Sequence, residues 1–259
     1  MLTVKLLQFT LWVIKDNAAH FQQGWIVAPM PARTVVNTNT WASRPSCADG
    51  TFEGVRFGAA EMQAARLRTR IPMLHMGSTP APSEARAKLG ANSVASKATA
   101  TMLTSGSLRY QRFQYFIDIA RSSVDVAMKI AQYCSGLEAL VSTAQTELSH
   151  QVSERVAVTL SLPGERRITL FKLVKEAYGF RSKAVHGASF KPNDAERLRK
   201  CARQIDEVCR ALVVAYFSPE SGFRAAIEGN DESIANFFIR RTLGDSAEVA
   251  ARGGGDEHT

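Results

Sequence analysis

From Leu108 to Leu243 the apolar residues return every three or four positions almost without a break. That spacing is one that packed α-helices bury on a single face. The first segment runs from Leu108 to about Val141, with a bend expected near Ser122-Ser123. The second covers about Ser149 to Leu160 and stops at Pro163-Gly164. The third covers about Glu165 to Val185, with Gly187 as its C-terminal stop. The fourth opens at Asn193, an N-cap ahead of Asp194 and Glu196, and ends before Pro219. One or two short helices fill Gly222 to Arg241.

Upstream the pattern differs. Short runs rich in β-branched and aromatic residues alternate with turn signals. Leu6–Ile14, Gly24–Val27 and Thr51–Phe57 read as strands, the last following an Asp49-Gly50 turn. Ala59 to about Arg70 reads as helical. The expected organisation is a small α+β N-terminal domain over 1–75 and a linker over 76–107. A mainly α bundle over 108–243 and a disordered tail over 244–259 complete it.

The chain has 259 residues, 45% hydrophobic and 22% charged, with 32 Lys+Arg against 24 Asp+Glu. A basic chain of this size admits polyanions as partners without naming one. The excess is uneven: 11 basic against 5 acidic residues up to position 104, then 21 against 19. Cys47, Cys134, Cys201 and Cys209 form no C-x-x-C pair and no zinc spacing, which implies free thiols in a reducing compartment. Lys5, Gln8 and Lys15 interrupt the apolar N-terminus, and no small-residue cleavage site follows. No run approaches a membrane span. Phosphate-binding and dinucleotide fingerprints are missing too. The reading is a soluble, cytoplasmic protein with no metal and no cofactor.

Two polar residues break the helical pattern. Leu170, Val174, Ala177, Arg181 and Ala184 are spaced four, three, four and three, so Arg181 falls where an apolar residue belongs. Ala127, Ala131, Cys134, Glu138 and Val141 keep the same rhythm, with Glu138 as the exception. A charge in such a stripe is costly unless it is paired or faces a cleft. The two are therefore expected to meet, either as a pair that fixes helix register or at a cleft. His186 lies at the C-terminal end of the third segment, where the helix dipole favours its charged form. Five residues turn about 140° on an ideal helix, so Arg181 and His186 do not share a face. Bringing them together needs a tightened last turn or a second copy of the helix. His150 beside Glu147 reads as a helix start, and the basic run Arg197, Arg199, Lys200 and Arg203 as a solvated face.

Several stretches carry a family resemblance. They are Leu11-Trp12-Val13-Ile14-Lys15-Asp16-Asn17, Asp125 with Lys129-Ile130, and Gly136-Leu137-Glu138-Ala139-Leu140. Further on come Glu147-Leu148-Ser149-His150, Glu154-Arg155-Val156-Ala157, and Tyr178-x-x-Arg181-Ser182-Lys183-x-x-His186-Gly187. Together they resemble the HEPN superfamily, in particular its Apea-like branch. The resemblance implies a HEPN-type helical bundle, a homodimer, and metal-independent endoribonuclease activity on RNA, often in phage defence or toxin systems. It implies that Arg181 and His186 line a cleft between protomers, that Ser182 assists, and that Glu147 or Glu138 contributes. Lys183, Arg155 and Tyr178, in the matching segments, are the candidates for contacting RNA. A regulatory protein partner also fits. Other members have lost activity and serve as RNA-binding or dimerisation scaffolds, which is the alternative here.

Overall fold

The computed structural model of the chain describes residues 2–21, 23–30, 33–40, 44–76, 108–144, 146–161 and 164–244. Nearly all of the expected linker and tail lie outside them. The architecture is mainly α. In chain order come α1 (Leu2–Ile14), β1 (Gln23–Met30), β2 (Arg33–Thr40) and α2 (Ala59–Met76). Next are α3 (Arg109–Ser122), α4 (Val126–Val141), α5 (Leu148–Leu160) and α6 (Glu165–Val185). Then come α7 (Asp194–Phe217), a short 3-10 turn (Pro219–Ser221), α8 (Phe223–Glu228) and α9 (Asp231–Leu243). No described helix is long and apolar enough to cross a membrane.

Local chemistry sets the boundaries. Asp125 caps α4 by accepting from the Met128 amide at 2.8 Å, and Asn230 caps α9 through the Ser233 amide at 2.9 Å. The bend expected at Ser122-Ser123 is a full break, because Ser123 is extended (φ −84°, ψ 148°). At the far end of α6, Gly187 takes φ +71° and the Ala188 amide reaches back to the Lys183 carbonyl at 3.0 Å. That bond closes the helix in a left-handed cap.

Most core side chains form one cluster. Phe113 and Ile117 of α3 meet Ile130, Leu137 and Leu140 of α4, Val152 and Val156 of α5, Val174 of α6, and Ile205 and Leu212 of α7. Phe223, Ile234 and Phe238 close it from the C-terminal side. Phe9, Trp12 and Val13 of α1 belong to the same cluster, so the N-terminal segment shares the bundle's core. All four cysteines are buried free thiols.

Two of the three expected strands are corrected. Leu6–Ile14 is helical: Leu6, Phe9 and Val13 recur at helical spacing and are buried together with Trp12. A short, continuous apolar run does not reveal its own period. Thr51–Phe57 is irregular and largely exposed, since Asp49 turns the chain by accepting from Thr51 and no strand among the described residues pairs with it. β1 does contain Gly24–Val27, and its antiparallel partner β2 runs in register from Gln23↔Thr40 to Met30↔Arg33. The Thr- and Val-rich β2 went unread although its composition suits a strand.

The Asp49-Gly50 turn is built against the α3–α4 break. Gly50 has φ +83°, and a Cβ there would lie 2.5 Å from the Val124 carbonyl oxygen. Gly50→Ala is therefore expected to cost at least about 1–2 kcal/mol, since it adds left-handed strain to a backbone clash. Urea denaturation measures the loss, and an unchanged midpoint would contradict the account.

Candidate functional site

α4 and α6 pack together, and their two intruding charges meet. Arg181 Nη2 lies 3.3 Å from Glu138 Oε1 and 3.5 Å from Oε2. The side chains retain 33% and 20% of their exposure, so the pair sits at the edge of the core with one side open. Tyr178, one turn earlier on α6, is buried, with its ring centroid 5.8 Å from the guanidinium. Burial, then the Glu138 carboxylate, pushes its hydroxyl well above the usual phenol range. Burial, then Cys201 and Glu138, likewise raises the Cys134 thiol. Three buried polar atoms here lack a well-directed hydrogen bond among the described residues: Glu138 Oε1, Arg181 Nε and the Tyr178 hydroxyl, the last facing the Glu138 carboxylate without good geometry. The ion pair is close but poorly directed, and it leaves bonding capacity unused.

His186 stands at the C-cap of α6, exposed, its amide bonded to the Ser182 carbonyl at 3.0 Å. That bond still spans four residues, so the last turn is not tightened. Arg181 and His186 therefore stay on different faces of α6 within one chain. Ser182 and Lys183 are exposed beside His186.

The remaining candidates fall elsewhere. Of the two glutamates, Glu138 meets Arg181. Glu147 is exposed at the start of α5, in the left-handed region (φ 53°), and its side chain caps nothing. Arg155 is buried and donates to the Val141 carbonyl at 2.6 Å, with its guanidinium 4.9 Å from the Phe238 ring centre. It satisfies the end of α4 and offers no charge for an RNA phosphate. Tyr178 is 6% exposed, so no base can stack on it in this state. His150 packs edge-on against Phe171, and no metal-binding group of His, Cys, Asp or Glu occurs among the described residues.

No family model, curated protein or solved structure matches this chain.

A second charged group went unread. Asp206 on α7 is fully buried and accepts from Trp12 Nε1 at 2.7 Å, the Tyr133 hydroxyl at 2.9 Å and Arg210 Nε at 2.9 Å. Lys129 on α4 is also fully buried and donates to the Ala120 carbonyl at 2.9 Å. Burial brings its ammonium down to about 8, against the opposing pull of Asp206 and Asp16. Arg121 donates to the Asn17 carbonyl at 3.2 Å and lies over Trp12. Burial and Asp206 raise the Asp16 carboxyl, which accepts from the Ala48 amide at 2.7 Å. The rule that exposed Arg181 would have found these residues. Asp206 interrupts Ala202, Cys209 and Val213, and Lys129 interrupts Val126, Tyr133 and Leu137, at the same three- and four-residue spacing. Asp206 and Lys129 are fully buried while Asp16 and Arg210 reach the surface, and the group ties α1 to α3, α4 and α7.

Proposed function

We propose that the chain is a metal-independent endoribonuclease that works as a homodimer, with Arg181 and His186 drawn from two copies of α6. One observation carries the reading. Arg181 is held at a core edge by Glu138 with a third of its side chain still exposed, near the end of the helix whose exposed cap is His186. Arg181 would grip the scissile phosphate and neutralise charge developing on it. His186 would move a proton from the attacking 2′-hydroxyl or to the leaving 5′-oxygen. The 2′-oxygen forms the new bond to phosphorus as the 5′-oxygen leaves, giving a 2′,3′-cyclic phosphate and a 5′-hydroxyl end. The resemblance supports a defence or toxin-like setting in the cytoplasm, with the N-terminal segment answering to a signal or a partner protein.

A second reading keeps the fold and drops turnover. It rests on the Arg181–Glu138 contact, which by itself can serve as a register lock in an RNA-binding or dimerising scaffold. The deciding assay incubates purified protein with RNA in EDTA and with DNA of the same sequence. Cleavage of RNA but not DNA is expected. Intact RNA at high concentration of a folded dimer would overturn the nuclease reading.

A further inference from the structure

The outward face of α6 has a composition that the fold does not explain. Lys172, Lys175, Gly179, Lys183 and His186 fall within an arc of about 80° on an ideal helix, and Lys172 to Lys183 spans about 16 Å. All five are exposed. None of the three lysines has an ion partner among the described residues. Glu176, at the edge of the arc, is already neutralised by Arg197 at 2.9 Å. Within α6, Glu165 at the N-terminal end is the one other carboxylate near the stripe. On α7, Arg197, Arg203 and Arg210 each reach a carboxylate, while Arg199 and Lys200 have no ion partner among the described residues. Residues 105–259 hold nearly equal numbers of both signs, so the unpaired lysines of α6 are a local concentration.

Gly179 is the second, independent observation. It lies inside a 21-residue helix, where glycine costs up to about 1 kcal/mol relative to alanine. It has no positive φ, and a Cβ built on it meets nothing within 4 Å. No packing among the described residues asks for a missing side chain there. Bare backbone at such a point admits close approach from outside.

The geometry points to the outward face of α6 as a docking track for a nucleic-acid strand, with a phosphate seated on the bare backbone at Gly179 between the three lysines. Ile168, exposed near the N-terminal end, also lies in this arc, and the rest of the face is polar and cationic, which fits a phosphodiester backbone better than an apolar protein surface. The track is argued from charge and shape. It rests on the ribonuclease reading only in expecting RNA as the strand.

The test uses the full chain and a fluorescent 2′-O-methyl RNA, which this chemistry cannot cut, beside DNA of matching sequence, all in EDTA. Wild-type binding should weaken with salt. Lys172→Glu/Lys175→Glu should lower affinity roughly tenfold or more and flatten the salt slope. Gly179→Leu should also weaken binding while raising Tm by about 2–4 °C, because leucine restores helix propensity and meets no neighbour there. Opposite signs in stability and binding separate a docking role from a folding role. Equal affinities for wild type and both face variants would overturn the track, as would no binding of either strand at low salt. Loss of a co-purifying acidic protein from the lysine variant, with RNA affinity unchanged, would assign the face to a protein and also overturn it. Cleavage of ordinary RNA is scored separately. Cutting with unaltered binding by the variants sinks the track alone. Face-dependent binding without cutting sinks the nuclease reading alone.

Discussion

His186→Ala is expected to lower RNA cleavage by about 10²–10⁴-fold with Tm unchanged. The ring is exposed and makes no hydrogen bond among the described residues. The helix-closing contact comes from the His186 amide, which alanine keeps. Arg181→Ala should lose cleavage as well, with a cost in stability of about 1–3 kcal/mol, because it leaves the buried Glu138 Oε1 without its counter-charge. Lysine should not rescue position 181, since an ammonium lacks the planar fork that grips a phosphate. The decisive experiment mixes the two inactive chains. If each site takes Arg181 from one copy and His186 from the other, a mixed dimer holds one intact site. Re-equilibrated mixtures should then regain roughly a quarter of wild-type activity, from half the dimers with half the sites. No recovery, with mixed dimers demonstrated, would refute the two-copy site. If Arg181→Ala costs stability and His186→Ala changes nothing measurable, the scaffold reading stands instead.

The bundle was legible because helix periodicity is written in every turn. The spans of α5, α6 and α7 follow from apolar spacing, Gly187 and Asn193. The Arg181–Glu138 meeting was legible for the same reason, since a charge in an apolar stripe demands a partner. The N-terminal segment was not. Leu6–Ile14 is apolar on nearly every residue, so no period distinguishes a strand from a helix that buries two sides. What decides it is Trp12 reaching Asp206, a contact across 194 residues that no local pattern records. Arg155 and Tyr178 misled for a related reason. Their residue types suit RNA, but only packing shows that the bundle has already used them. Local spacing predicts which side chain is anomalous and leaves its partner to be found in three dimensions.

Asp206→Ala should be among the most damaging single substitutions, costing about 3–5 kcal/mol in guanidinium or urea unfolding. It strips the acceptor from Trp12, Tyr133 and Arg210 at once, and it removes a negative charge that favours the ionised forms of the buried Lys129 and Arg121. Asp206→Asn should cost less, because an amide oxygen still accepts while the negative charge is gone. Hydrogen exchange should show α1 opening first, since Trp12 is its hydrogen-bonded tie to α7. A loss below about 1 kcal/mol for Asp206→Ala would mean that the buried charges are not coupled as their distances imply. Lys129 provides an independent check through pH. Its ammonium titrates near 8 in the folded chain and near 10.5 when unfolded. Between those values the unfolded chain holds a proton that the folded chain has released, so this residue's contribution to stability rises with pH across that window. Relative to Lys129→Met, the wild type should gain up to about 3 kcal/mol from pH 8 to 10.5. The buried thiols, common to both chains, lower stability at alkaline pH in each and cancel in the difference. Parallel stability curves for the two chains would show that Lys129 titrates as it does in water, and that this charged centre is open to solvent.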